Sequence, residues 1–114
     1  MAELSFMTIH ELSAAMNEGE ISSTDIIERC LSQIAAQEDQ LQAFGTVYSE
    51  EARMAAQAAD LAMAAGNRLG PLHGIPIALK DIIDMEGRVT TGGSMVWRER
   101  ISLTTATILS LIHI

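Results

Sequence analysis

The sequence predicts a mixed α/β chain, and three observations carry that reading. Two helix-start signatures are each followed by apolar residues at helical spacing. An alanine-rich stretch over residues 50–65 favours a third helix. Two short runs, 43–48 and 75–79, have the apolar composition and flanking turn residues of strands. At 114 residues the chain holds one domain at most, and 48% hydrophobic residues allow a small core of Ile, Leu, Met and Ala.

Thr8-Ile9-His10-Glu11 is a capping-box pattern that opens a helix to about Asn17. Ile9, Leu12 and Met16 share one face, and Gly19 suits the stop. Ser22-Ser23-Thr24-Asp25 repeats the signal. Ile26, Ile27, Cys30, Leu31 and Ile34 then give an apolar face to a helix running to about Gln37. Ser49 is placed to cap the alanine-rich helix, which ends at Gly66-Asn67. Gly70-Pro71-Leu72-His73-Gly74 is a loop by composition. Ile75–Leu79 reads as a buried strand with Pro76 at its entry. Asp84-Met85-Glu86-Gly87 is a turn and Thr90-Thr91-Gly92-Gly93-Ser94 a tight polar loop. Thr104 or Thr105 is placed to cap a last helix.

The net charge is −8 and unevenly spread: residues 1–66 carry eleven acids and two bases, residues 67–114 four acids and five bases. Such a balance argues against nucleic-acid or anionic-membrane binding through a basic face. No stretch approaches the ~20 apolar residues of a membrane span, and no secretory leader is legible, so a cytoplasmic location is expected. Cys30 is alone and reads as a small core residue. His10, His73 and His113 are far apart without flanking cysteines, and no metal or cofactor is expected. Thr90–Ser94 lacks the Gly-Lys-Ser/Thr ending of a phosphate-binding loop.

Lys80 is the only lysine; the other six cations are arginines. Arginine stays protonated at any accessible pH, whereas burial can push a lysine toward neutrality. A single lysine at the end of an apolar strand is therefore a candidate general base. The competing reading pairs it with Asp81 or Asp84. A carboxylate against Lys80 would hold it protonated, so the base role requires Asp81 to point toward backbone N–H groups instead. Ser94 is a candidate substrate-binding residue, with turn capping as its competing role.

The segment Gly70-Pro71-Leu72-His73-Gly74-Ile75-Pro76-Ile77-Ala78-Leu79-Lys80-Asp81 resembles the lysine segment of the amidase-signature family. Thr90-Thr91-Gly92-Gly93-Ser94, Thr105-Ala106-Thr107 and the link at 19–23 fit the same pattern. The resemblance implies an α/β fold with a mixed sheet covered by helices, to which 43–48 and 75–80 would give core strands. It implies a Ser–cis-Ser–Lys triad that hydrolyses a small-molecule amide to acid and ammonia, with Lys80 as its base. The two serines belong to a Gly/Ser-rich run that this sequence does not contain, so the chain is expected to be a truncated, inactive part of the fold. A homodimer of the complete protein is a further expectation. The alternative within the family is the ammonia-releasing component of a tRNA-dependent amidotransferase, its A subunit, which takes ammonia from glutamine. There the motif usually reads Lys-Asp-Asn, against Lys80-Asp81-Ile82 here. The alternative from another class is a non-catalytic helical interaction module formed by residues 1–66. Residues 109–114 (Leu-Ser-Leu-Ile-His-Ile) resemble the translation of a transposase-end sequencing adapter. They are expected to be a processing scar after 1–108, the N-terminal portion of a single amidase domain.

Overall fold

The computed structural model describes residues 3–112, which fall into two compact units, the first ending at Ile77 and the second beginning at Ala78. In the first unit a 3₁₀ turn (Leu4–Phe6) precedes three helices: α1 (Ile9–Asn17), α2 (Ser23–Leu41) and α3 (Ser49–Ala64). The second unit holds a 3₁₀ turn (Met95–Trp97) and α4 (Thr107–Ile112), joined by loops.

Both predicted capping boxes form. The Thr8 side chain accepts from Glu11 N–H while Glu11 accepts from Thr8 N–H at 2.7 Å. Ser22 and Asp25 do the same for α2. These contacts satisfy N–H groups that have no partner inside the helix. The two glycine stops also form. Beyond α1, Gly19 (φ 73°) donates to the Met16 carbonyl and Glu20 to Ala15. Beyond α3, Gly66 (φ 82°) donates to Met63 and Asn67 to Ala62. This paired pattern needs a left-handed residue just past the helix, which glycine adopts without a Cβ clash.

Three boundaries differ from expectation. Helix α2 continues four residues beyond Gln37, to Leu41. It is stopped by Gln42 in a left-handed conformation (φ 47°) with no glycine to announce it. The Glu38 side chain then accepts from Phe44 N–H at 2.9 Å. Ser49 is the first residue of α3, with Tyr48 in the cap position, so it does not cap. The last helix starts at Thr107; Ala106 offers its carbonyl to Leu109 and Ser110, while the Thr105 hydroxyl accepts from Glu86 N–H. Of the 109–114 segment, His113 and Ile114 lie outside the described residues; Leu109 is buried.

The expected strands are a larger correction. Residues 43–48 and 75–80 have no ladder partner, and among the described residues no strand forms. Among the described residues the expected mixed sheet is thus not seen. A strand is a relation between two segments, and an isolated one leaves its N–H and C=O groups to water. Among the described residues the sole pairing is an isolated antiparallel bridge, Val89 with Ile101.

The core of the first unit is Leu12, Met16 and Ile26, with Leu4, Met7, Ile21, Cys30, Met63 and Ile75 packed against it. Cys30 is half-buried there and burial pushes its thiol pKa up, the opposite of a reactive cysteine. Helices α2 and α3 pack on one another. Asp60 of α3 binds the start of α2: Oδ1 accepts from Ser23 N–H at 2.7 Å, and Oδ2 from Thr24 N–H at 3.0 Å and the Thr24 hydroxyl at 2.6 Å. Burial raises the Asp60 pKa, but the hydrogen bonds from Thr24 and Ser23 outweigh it, and the net shift is downward. No helix among the described residues is long and apolar enough to cross a membrane.

Because the folded-state pKa of Asp60 is depressed, its contribution is fully present above the ordinary carboxylate value of about 3.9. It is lost as pH falls through the lower, folded-state value. Asp60→Asn keeps one acceptor and removes the charge. The variant is expected to melt earlier than the parent at neutral pH, with the difference shrinking below about pH 4. Thermal melts followed by circular dichroism across that range check it; an equal deficit at every pH would refute the ionic part of the contact.

Candidate active site

The lysine-bearing segment begins in a loop tied to the helices of the first unit. His73 Nε2 donates to the Ala59 carbonyl at 2.9 Å, and Nδ1 accepts from Leu69 N–H at 3.4 Å. Both contacts fit the neutral Nε2–H tautomer, so His73 serves as a strut. The Ser23 hydroxyl donates to the Gly74 carbonyl at 2.6 Å. Gly74 sits at φ 76°, and a Cβ there would lie 3.1 Å from the Ser23 side chain. The positive φ favours glycine, and a Cβ would also crowd Ser23. Ile75 then joins the helical core.

Beyond that point the chain is extended and apolar but open to solvent. Ile77 is 59% exposed, and Lys80 is exposed as well. The burial expected around Lys80 is therefore absent in this chain, because no neighbouring strand covers the segment. Among the described residues the Lys80 ammonium has no hydrogen-bond or ion-pair partner.

Neither acid nearby pairs with it. Asp81 accepts from Thr91 N–H at 2.8 Å and from the Thr91 hydroxyl, while its own carbonyl accepts from Gly92 N–H at 2.7 Å. The Thr91 hydroxyl also accepts from Gly93 N–H at 3.1 Å. The Thr91 side chain, and then its N–H, hold the Asp81 carboxyl below its ordinary range. The Asp81 carboxylate thus points at a backbone loop, as the base role requires. Asp84 belongs to a second cluster. Its Oδ1 accepts from Arg100 and from the Ser102 hydroxyl, each at 2.9 Å, and Ser102 shares a 2.9 Å hydrogen bond with the Thr90 hydroxyl. The Arg100 contact is the first cause that lowers the Asp84 pKa, and Ser102 the next. Ser102 and Thr90 are buried beneath the bridge, where Thr90 N–H donates to Arg100 and Ser102 N–H to Arg88.

Ser94 caps the Met95–Trp97 turn by accepting from Val96 N–H at 3.3 Å. It also lines a shallow recess of about 400 Å³ with Ile82, Asp84, Thr90, Trp97 and Arg100. The Arg100 guanidinium lies 5.5 Å from the centre of the Trp97 ring, within cation–π range. The lysine is not among the residues lining that recess. Sequence reasoning missed Thr91, Ser102 and Asp60 as organising residues. Only Asp60 carried a signal, as the lone charge in the second half of the alanine-rich helix.

The amidase family profile matches residues 25–113, most of the chain and parts of both units. The chain belongs to the amidase family. It is 42% identical to the glutamyl-tRNA(Gln) amidotransferase A subunit of Chloroflexus aurantiacus over 96 residues, covering 84% of this chain and 20% of that protein. It is 36% identical to an amidase of Pseudomonas putida over 94 residues, again 82% of this chain and 20% of the relative. The native peptide amidase of Stenotrophomonas maltophilia superposes with a TM-score of 0.85 at 29% identity, covering 93% of this chain and 22% of that one. The chain thus spans about a fifth of the length of the curated relatives it matches, and its fold is a portion of the amidase fold.

Ser102→Ala removes one hydrogen bond from the buried Thr90 hydroxyl and one from the half-exposed Asp84, which keeps Arg100. A loss of about 1–3 kcal/mol is expected for the second unit. Trp97, the only tryptophan, reports on that unit, so urea denaturation followed by its fluorescence measures the loss. An unchanged transition would show that the hydroxyl contributes nothing there.

Proposed function

We propose that these residues form the lysine-bearing part of an amide hydrolase in which Lys80 is the general base. The observation that carries the proposal is a family-specific segment ending in the only lysine of the chain, with the adjacent carboxylate engaged elsewhere. The chemistry asks for a neutral amine. In the proposed triad Lys80 takes a proton from a bridging serine, which deprotonates the serine that attacks the amide carbon. The amine or ammonia leaves, and water releases the acid. The sequence holds no Gly/Ser-rich run of the kind that carries the two serines, and Lys80 is exposed in it. Residues 1–114 alone are therefore expected to hydrolyse no amide.

A second reading makes the complete protein the glutamine-hydrolysing component of an amidotransferase. The 42% identity to the Chloroflexus protein favours it, while Ile82 after Lys80-Asp81 favours the stand-alone enzyme. Comparing ammonia release from glutamine and from simple carboxylic amides separates the two.

In the complete protein, Lys80→Ala is expected to lower kcat/KM for amide hydrolysis by at least about 10²–10⁴-fold, the usual contribution of acid–base catalysis, without loss of folding. Lys80→Arg is expected to be equally inactive, because a guanidinium cannot give up its proton. Near-normal turnover in either variant, with the circular dichroism spectrum retained, would end the assignment.

A further inference from the structure

The candidate base is followed directly by an aspartate, and a carboxylate resting on an ammonium raises its pKa. Lys80 and Asp81 are adjacent and both exposed, so where the Asp81 carboxylate is held bears on the lysine. Both Asp81 oxygens are bound by Thr91, one by its N–H and the other by its hydroxyl. The Asp81 carbonyl holds Gly92 N–H in the same loop, so clasp and loop are one structure.

We propose that Thr91 is a positioning residue that keeps the charge of Asp81 off Lys80 and thereby leaves the lysine free to act without a counter-ion. The proposal rests on the reading of Lys80 as a base and adds the residue that holds the neighbouring carboxylate in place. The other charged side chains of this unit do not take the place of Asp81. Asp84 and Arg100 bind each other, Arg98 lies 3.8 Å from Glu99, and among the described residues Glu86 makes no ion pair with Lys80. Arg88, the remaining charge between Asp81 and the bridge, has the same sign as Lys80. The depressed pKa of Asp81 agrees with a carboxylate held as an anion by Thr91.

The uniqueness of Lys80 makes the test direct. Lysine-selective isotope labelling puts a single side-chain signal in the NMR spectrum of this chain, and its titration reads Lys80 alone. Thr91→Val removes the hydroxyl and frees one carboxylate oxygen. At low salt the Lys80 pKa is expected to rise by about half a unit or more. Thr91→Ser should leave it in place, and Thr91→Val with Asp81→Asn should cancel the rise. A well-folded Thr91→Val chain with an unmoved Lys80 would overturn the proposal. If Thr91→Val fails to fold, Asp81→Asn alone decides. A small fall, under about a third of a unit, supports a charge already engaged elsewhere; a fall of half a unit or more shows Asp81 on Lys80 and refutes the clasp. In the complete enzyme the acid limb of kcat/KM for Thr91→Val should move to higher pH. An active Lys80→Ala enzyme would remove the base reading while leaving the titration results standing, so the two failures are distinguishable.

Discussion

The Asp60 carboxylate is the contact on which the first unit depends. An α-helix begins with N–H groups that have no partner within the helix, and its positive end favours an anion. Ser22 and Asp25 satisfy part of that need at the start of α2 from within the same turn. Asp60 supplies the rest from another helix, by taking the N–H groups of Ser23 and Thr24. Since the Ser23 backbone is satisfied this way, its hydroxyl is available to hold the Gly74 carbonyl. One acid thus joins α2, α3 and the loop that enters the lysine segment. The apolar core of Leu12, Met16 and Ile26 adds burial to a geometry set by these polar contacts.

The second unit solves a different problem. It has little buried apolar surface, and its chain turns repeatedly without regular structure. Side-chain carboxylates take the place of a ladder. Asp81 gathers the Thr91–Gly93 loop, and Asp84 gathers Arg100, Ser102 and, through Ser102, Thr90. Both acids serve as acceptors for fixed donors and hold their charge against protonation. A consequence for chemistry follows: the two carboxylates nearest Lys80 in sequence are committed to the scaffold. A lysine that must exchange a proton is best served by such neighbours, because an ion pair would fix it in the charged state.

Residues 70–81 lie within the span that the amidase family profile matches. Gly74 is glycine because its carbonyl is drawn against Ser23, and His73 is held by backbone groups at both ring nitrogens. Pro76 to Leu79 remain apolar although the chain itself leaves Ile77 and Leu79 largely open. Ile77 and Leu79 thus show apolar side chains to solvent on an extended segment that has no ladder partner among the described residues.

The sequence by itself determined the local features. Thr8-Glu11 and Ser22-Asp25 announced the starts of α1 and α2, and Gly19 and Gly66 announced the ends of α1 and α3. The singular Lys80 announced a candidate base. Each depends on residues within a few positions of one another, where side-chain chemistry and backbone geometry decide the outcome. Only the tertiary structure decided whether 43–48 and 75–80 pair, since a strand needs a partner that composition cannot supply. Only it revealed that Asp60 binds the start of α2, that Asp81 answers to Thr91, and that Ser102 is buried. Those contacts join residues separated by ten to thirty-seven positions or set depth within the fold, and no pattern along the chain encodes which distant donor a carboxylate will find.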